Sequence, residues 1–174
     1  FKTTIGSEIS SLFNKKDNLS TLNCRVINGD PLSGSKVDCS GFIGYYNNTI
    51  SVIEEGNNYR MLGWLPFMYN SVPSLSKTSL SWLLGGEKKV NTNLNGEERA
   101  IVVTGEMEKY FPMDIFPMQL IKACMRGDIE KMESLGIYEV VPEDFGLVDF
   151  SCTSKIEAQE IIKKGIEIML KEVG

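Results

Sequence analysis

The chain has 174 residues with 18 basic and 23 acidic side chains, no histidine and 42% hydrophobic residues, which is enough apolar matter for a packed core. A net charge of −5 disfavours a general nucleic-acid binder, whose affinity comes mainly from Lys and Arg on phosphates. The lack of histidine removes Ser-His and Cys-His triads and His-ligated zinc or haem.

The chain opens on Phe1-Lys2-Thr3-Thr4-Ile5-Gly6, without an initiator Met or a signal-peptide pattern, and reads as a piece of a longer protein. A short helix is expected over 7–13, with Ser7 as cap and Ile9, Leu12 and Phe13 on one face. Cys24-Arg25-Val26-Ile27 is a β-branched run that should end at the turn formers Asn28-Gly29-Asp30-Pro31. Residues 41–46 and 49–53 flank Asn47-Asn48 and read as a hairpin closed by a tight turn. A further strand is expected over 59–64. One helix against a few strands suggests an α+β unit of β-grasp type over 1–66.

Residues 67–104 read as an irregular connector interrupted by Pro73, Gly85 and Gly86, with a helical turn at 79–84 and a returning buried strand at 100–103. Composition then changes: residues 1–104 carry net +1 and residues 105–174 net −6. Helical signals dominate the second part. Pro117 opens a helix with Leu120, Ile121, Cys124 and Met125 inward, stopped near Gly127. Asp128 caps a shorter helix with Ile129, Met132 and Leu135 inward, ended by Gly136. Pro142, Glu143 and Asp144 begin another. The last is expected over 154–172, with Ile156, Ile161, Ile162, Ile166, Met169 and Leu170 apolar. The sum is a C-terminal helical bundle.

Candidate chemistry is sparse. Gly85-Gly86-Glu87-Lys88-Lys89 lacks the spacing of a phosphate loop and reads as a polar turn. The pairs Glu54-Glu55 and Glu97-Glu98 place adjacent carboxylates on opposite faces of a strand, as solvated surface does. Met113, Met118, Met125 and Met132 recur near helical spacing, which suits core filling better than a pliable groove. Tyr45, Tyr46, Trp64 and Phe67 have the chemistry to receive a quinone or flavin ring, although sheet packing accounts for most such groups. Cys24, Cys39, Cys124 and Cys152 are too far apart in sequence for a metal-clamping loop, so reduced thiols are expected. Cys152 stands just before the last helix, whose N-terminus is able to lower a thiol pKa; a quiet structural thiol is the plainer reading.

Three blocks carry a resemblance. They are Arg25-Val26-Ile27-Asn28-Gly29-Asp30-Pro31-Leu32-Ser33-Gly34, then Leu62-Gly63-Trp64, then the run from Arg99-Ala100-Ile101-Val102-Val103-Thr104-Gly105 through Pro112-Met113-Asp114-Ile115-Phe116-Pro117. With Gly127-Asp128, Leu135-Gly136, Glu143-Asp144 and Cys152, they resemble the C-terminal part of the A subunit of the sodium-translocating NADH:quinone oxidoreductase. The resemblance implies a bacterial protein on the cytoplasmic side of the inner membrane. Its partners would be the membrane-embedded B subunit and the C subunit of the same enzyme; it would reach the membrane only through them and bind no nucleic acid. The family is similar in fold to the C subunit of the Rnf complex and to the flavoprotein subunit of respiratory complex I. That similarity implies an SLBB-type β-grasp domain followed by a helical domain, over 105–174, that holds iron-sulfur clusters in those relatives. Here Cys152 alone matches the last cysteine of such a motif, so a cluster-free scaffold is expected. NADH, flavins, iron-sulfur and quinone would be handled in other parts of the complex. No catalytic, cofactor or metal residue is expected in this chain. Arg25, Gly29, Gly34, Gly63, Trp64, Arg99, Gly105, Pro112, Asp114, Pro117 and Cys152 would be structural or interface positions. The alternative is a stand-alone β-grasp module that binds a quinone-like ligand.

Overall fold

A central strand organises the first part of the computed structural model, which describes residues 3–13, 23–56, 73, 82–83, 88 and 90–173. Strand β1 (Cys24–Asn28) lies between β2 (Ser35–Val37) and β3 (Ile50–Glu54), antiparallel to both, with Val26 opposite Val37 on one side and Val52 on the other. Flanked on both edges, β1 buries Val26 and Ile27 on its two opposite faces. The chain divides into two units, Phe1–Asn95 and Gly96–Gly174, and its strands and helices together make it α+β.

The turn after β1 falls where the sequence places it. Gly29 takes φ +110°, a conformation that a side chain disfavours, and its N–H donates to Thr49 O at 2.9 Å. Asp30 then folds the chain back: its Oδ1 accepts from the N–H groups of Leu32 (2.8 Å) and Ser33 (3.0 Å).

The hairpin expected from 41–46 and 49–53 does not form. Only the second half is a strand, and it pairs along its length with β1, from Cys24 opposite Glu54 to Asn28 opposite Ile50. Both edges of β1 are thereby filled. Residues 41–43 instead bond to the N-terminal segment, with Ile9 N–H donating to Gly41 O (2.9 Å) and Ile43 N–H to Ser7 O (3.0 Å). The tight turn sits earlier, where Asn47 N–H donates to Gly44 O (3.0 Å). An isolated two-stranded hairpin would have left both faces wet, whereas pairing with β1 joins a third strand to a sheet with buried residues.

The helix expected over 7–13 is a single 3-10 turn, Ile9–Leu12. Ser7 does not cap it; its hydroxyl donates backwards to Thr4 O at 2.7 Å. The strand expected over 59–64 and the helical turn over 79–84 lie outside the described residues, the latter but for Trp82 and Leu83. The buried strand expected at 100–103 is irregular chain, with Val102 76% and Val103 52% exposed. Its ties are to the segment before the last helix: Arg99 N–H donates to Ser154 O (2.9 Å) and Ser154 Oγ to Ala100 O (3.1 Å).

The second unit follows its local signals closely. Helix α1 (Pro117–Arg126) starts on proline, whose missing N–H would be unpaired there anyway. It stops at Gly127, in the left-handed conformation with its N–H bonded to Cys124 O. Asp128 caps α2 (Ile129–Ser134) through Lys131 N–H. Pro142–Phe145 is a 3-10 turn whose Asp144 accepts from Val141 N–H (2.9 Å), and it runs directly into α3 (Gly146–Ser151). Helix α4 (Ala158–Val173) starts later than the expected 154 because Lys155 adopts φ +54°. Asp149 of α3 supplies the cap, accepting from the N–H groups of Ala158 (2.5 Å) and Gln159 (3.3 Å).

One contiguous core runs from Met107 to Met169, with Leu120, Ile121, Met132, Phe145, Val148 and Ile162 fully buried. Phe111 and Phe145 pack with ring centroids 4.7 Å apart. Helices α1 and α4 meet at Gly165, where a Cβ would fall 2.5 Å from Cys124 Sγ. Two residues expected to face inward do not: Met125 is 60% and Leu170 68% exposed, each lying past the edge of its helix's buried stripe.

Candidate functional site

In the sheet unit, Arg25 is committed to a fork with Glu55. Its Nε donates to Oε2 at 2.9 Å and its Nη2 to Oε1. Thr92 Oγ1 donates to the same carboxylate (3.2 Å) and accepts from Gly56 N–H (2.7 Å). The guanidinium's hydrogen bond holds the Glu55 carboxyl below the usual carboxylate range, and Glu55 raises Arg25 in turn. A bidentate pair of this kind fixes geometry and leaves little of the guanidinium free for a ligand. Glu54 points away and is exposed, as adjacent strand residues require.

Close by, the turns at 28–34 and 44–47 adjoin. A Cβ on Gly34 would fall 2.5 Å from Asp30 O, and one on Gly44 would fall 3.0 Å from Asn28 Nδ2. Gly29 and Gly34 therefore serve backbone packing. Tyr45 and Tyr46 contact each other edge to face at 5.0 Å and are 73% and 93% exposed. Trp64 and Phe67, grouped with them in the sequence, lie outside the described residues, as does Gly63.

The thiols lie apart in kind. Cys24 and Cys39 are half-buried in the sheet unit, where burial and then Cys39 push the Cys24 thiol up. Cys124 and Cys152 are buried in the helical core. Burial pushes Cys124 up to about 11, keeping it a neutral thiol at neutral pH. Cys152 follows the end of α3 and does not stand at the N-terminus of α4, which begins at Ala158. Among the described residues no three Cys, Asp or Glu gather as a metal site.

The other motif positions divide between buried and exposed. Pro117 is buried at the first turn of α1, Gly105 takes φ +77°, and Arg99, Pro112 and Asp114 are exposed. Met118 and Met132 are core residues, Met113 packs at the core's edge and Met125 is outside it. Of the glycine-lysine stretch at 85–89, Lys88 alone is described.

A concave surface among the described residues lies in the helical unit. An open groove of about 410 Å³ runs between α1 and α2, lined by Gln119, Lys122, Ala123, Arg126, Asp128, Lys131, Ser134 and Leu135. Lys122 and Arg126 stand one helical turn apart on the exposed side of α1. Lys131 pairs with Asp128 at 3.1 Å, and its hydrogen bond, with Arg126 contributing more weakly, lowers the Asp128 carboxyl. In the sequence Asp128 reads as a helix cap, and its basic neighbours carry no separate motif. The signal available was Lys122 and Arg126 at i and i+4 followed by Lys131 in the next helix.

Comparison with known proteins gives a consistent result. Over 176 residues, 98% of this chain, it is 34% identical to the A subunit of the Na(+)-translocating NADH-quinone reductase of Neisseria meningitidis serogroup C. It is also 34% identical to the same-named proteins of Haemophilus influenzae over 172 residues and Hahella chejuensis over 173. The chain spans 38% of the length of these relatives. No family model matches it. The resemblance read from the sequence is thus met by curated relatives along nearly the whole chain.

Proposed function

We propose that this chain, homologous to part of the A subunit of the Na(+)-translocating NADH-quinone reductase, is a non-catalytic scaffold and assembly segment of such a complex. The observation that carries this is the 34% identity sustained over 98% of the chain. In this reading the complex couples NADH oxidation and quinone reduction to sodium-ion export, and the chain sits on the cytoplasmic side against the membrane-embedded B subunit and the C subunit. No described helix is long and apolar enough to cross a membrane. The small sheet stands for the β-grasp of the related proteins and the helical unit for their cluster-bearing domain, here without a cluster.

The side chains favour a supporting role. The one thiol that matches a cluster-motif position, Cys152, is 2% exposed in the helical core, and Cys124 lies against Gly165. Exposed apolar residues such as Phe116, Met125, Tyr138, Leu147 and Phe150 leave the helical unit with surface suited to partners. The quinone-binding alternative needs Tyr45 and Tyr46 in a pocket, and both stand on an open turn.

The test is to tag the chain within its full-length protein and purify it from detergent-solubilised membranes. NADH:quinone reductase activity and the other subunits should co-elute. Elution alone, with activity left in the untagged fraction, would refute the reading. In the purified complex, Cys152→Ala should leave iron content and turnover unchanged; lost iron would place a cluster here.

A further inference from the structure

The groove between α1 and α2 is a positive spot on a negative body. The helical unit, residues 96–174, carries 9 basic and 16 acidic side chains, yet the groove rim brings together Lys122, Arg126 and Lys131 against a single carboxylate, Asp128. Asp128 is already occupied twice, by the Lys131 ammonium and by the Lys131 backbone N–H. Lys122 and Arg126 form no ion pair among those described. Between the charges the floor is apolar, formed by Ala123 and Leu135. The α1 carbonyls that face this end are bonded by the N–H groups of Gly127 and Asp128, so the backbone there offers acceptors already satisfied.

We propose that this groove is the docking site for an acidic segment of a partner protein, one that lays an apolar side chain on Ala123 and Leu135 and sets carboxylates on Lys122 and Arg126. This deepens the assembly reading and rests on it. Three features favour a protein segment over a small anion. The groove is open, its cations are on exposed flexible stems, and the Asp128 carboxylate, held in place by Lys131, is itself an anion. A compact anion site instead converges backbone N–H groups or buried donors on one point. The surrounding charge sharpens the choice: an acidic partner is repelled from the rest of the unit and attracted here, which fixes where it lands as well as whether it binds.

Zero-length carbodiimide coupling on the intact, solubilised complex tests this, because it joins a lysine amine to a carboxylate already in contact. The expected product is an amide between Lys122 or Lys131 and an Asp or Glu of another subunit, seen by peptide mass spectrometry and suppressed by high salt. Lys122→Glu/Arg126→Glu should abolish that cross-link and reduce recovery of the cross-linked partner by about tenfold or more. The milder Lys122→Gln/Arg126→Gln should act in the same direction, and Lys163→Glu on α4 should not. Both doubles alter exposed residues, and unchanged circular dichroism establishes that the unit is folded. If the unaltered protein recovers no partner at all, the assembly reading fails. If it recovers partners and the charge-reversed variant recovers them equally, assembly stands and the groove proposal is overturned. Coupling confined to Lys131 and Asp128, or a groove that inorganic phosphate protects without any intersubunit link, also overturns it.

Discussion

Val26 and Ile27 in the sheet and Ile9 beside it are the buried apolar residues described in the first unit, while the second buries an unbroken cluster from Met107 to Met169. Among its described residues the sheet unit sets directed polar contacts beside this small apolar group: the Asp30 turn, the Arg25 and Glu55 fork, and Thr92 braced against both Glu55 and Gly56. The two units should therefore respond to different perturbations. The helical unit is governed by volume, because close-packed cores register single methylene changes. The described contacts of the sheet unit respond to charge and solvent conditions, because partly exposed ion pairs are screened and titrate.

The largest effect should come from removing volume at the centre of the helical core. Phe145→Ala deletes a fully buried ring packed on Phe111 and should cost about 3–5 kcal/mol in urea denaturation of the helical signal. A loss below about 1 kcal/mol would mean that the core is loosely packed and the contrast between units is false.

Next is the helix crossing. Gly165→Ala sets a methyl 2.5 Å from Cys124 Sγ and should cost about 1–3 kcal/mol despite the better helix propensity of alanine. Adding Cys124→Ala removes the sulfur and should restore part of that loss. Additive destabilisation in the double variant would show that the two residues do not meet.

A smaller loss is expected at the start of α4. Asp149→Ala removes the acceptor for the Ala158 and Gln159 N–H groups and should cost about 1 kcal/mol, with fraying visible as faster amide exchange in the first turn of α4.

The smallest effect separates the units by pH. In the sheet unit Glu55 is lowered by the Arg25 hydrogen bond and Asp30 by Ser33 and the turn N–H groups. Their stabilising contribution is complete above the ordinary carboxylate value of about 4.5 for Glu and is lost as pH falls through the lowered folded values. In the helical unit Asp128 is lowered but Asp149 is raised by burial, and a raised carboxyl contributes most in acid and less as pH climbs through its folded value. The opposed signs should blunt the acid response of that unit. Acid titration followed by residue-resolved amide exchange should open β1–β3 before α1–α4, and Glu55→Gln should narrow the gap. Simultaneous opening would contradict the comparison.

What the sequence disclosed follows the same division. The start of α1 at Pro117, its stop at Gly127, the Asp128 cap and the turn after Asn28 were all readable, because each depends on residues within a few positions of one another. The pairing of β3 was not. Asn47-Asn48 suggested a local hairpin, but β1, well earlier in the chain, offered a better edge, and a competition between distant edges leaves no local mark. The exposed position of Val102 and Val103 was missed for a related reason: Ile101-Val102-Val103 is β-branched, and the bonds the segment does make go to Ser154 and to no described strand. The late start of α4 depends on Asp149 of another helix. The groove was half legible: the spacing of Lys122 and Arg126 is helical, and only the packing of α2 against α1 gave it a floor.

The contact between Gly165 and Cys124 makes the helical unit its own stopwatch. A thiol held neutral and shut between two helices reacts with an alkylating reagent only during the intervals when α1 and α4 part. Its labelling rate therefore scales with the fraction of time the helices are apart, and comparing the rate in the free protein with that in the assembled complex would measure how far a bound partner keeps the two helices closed.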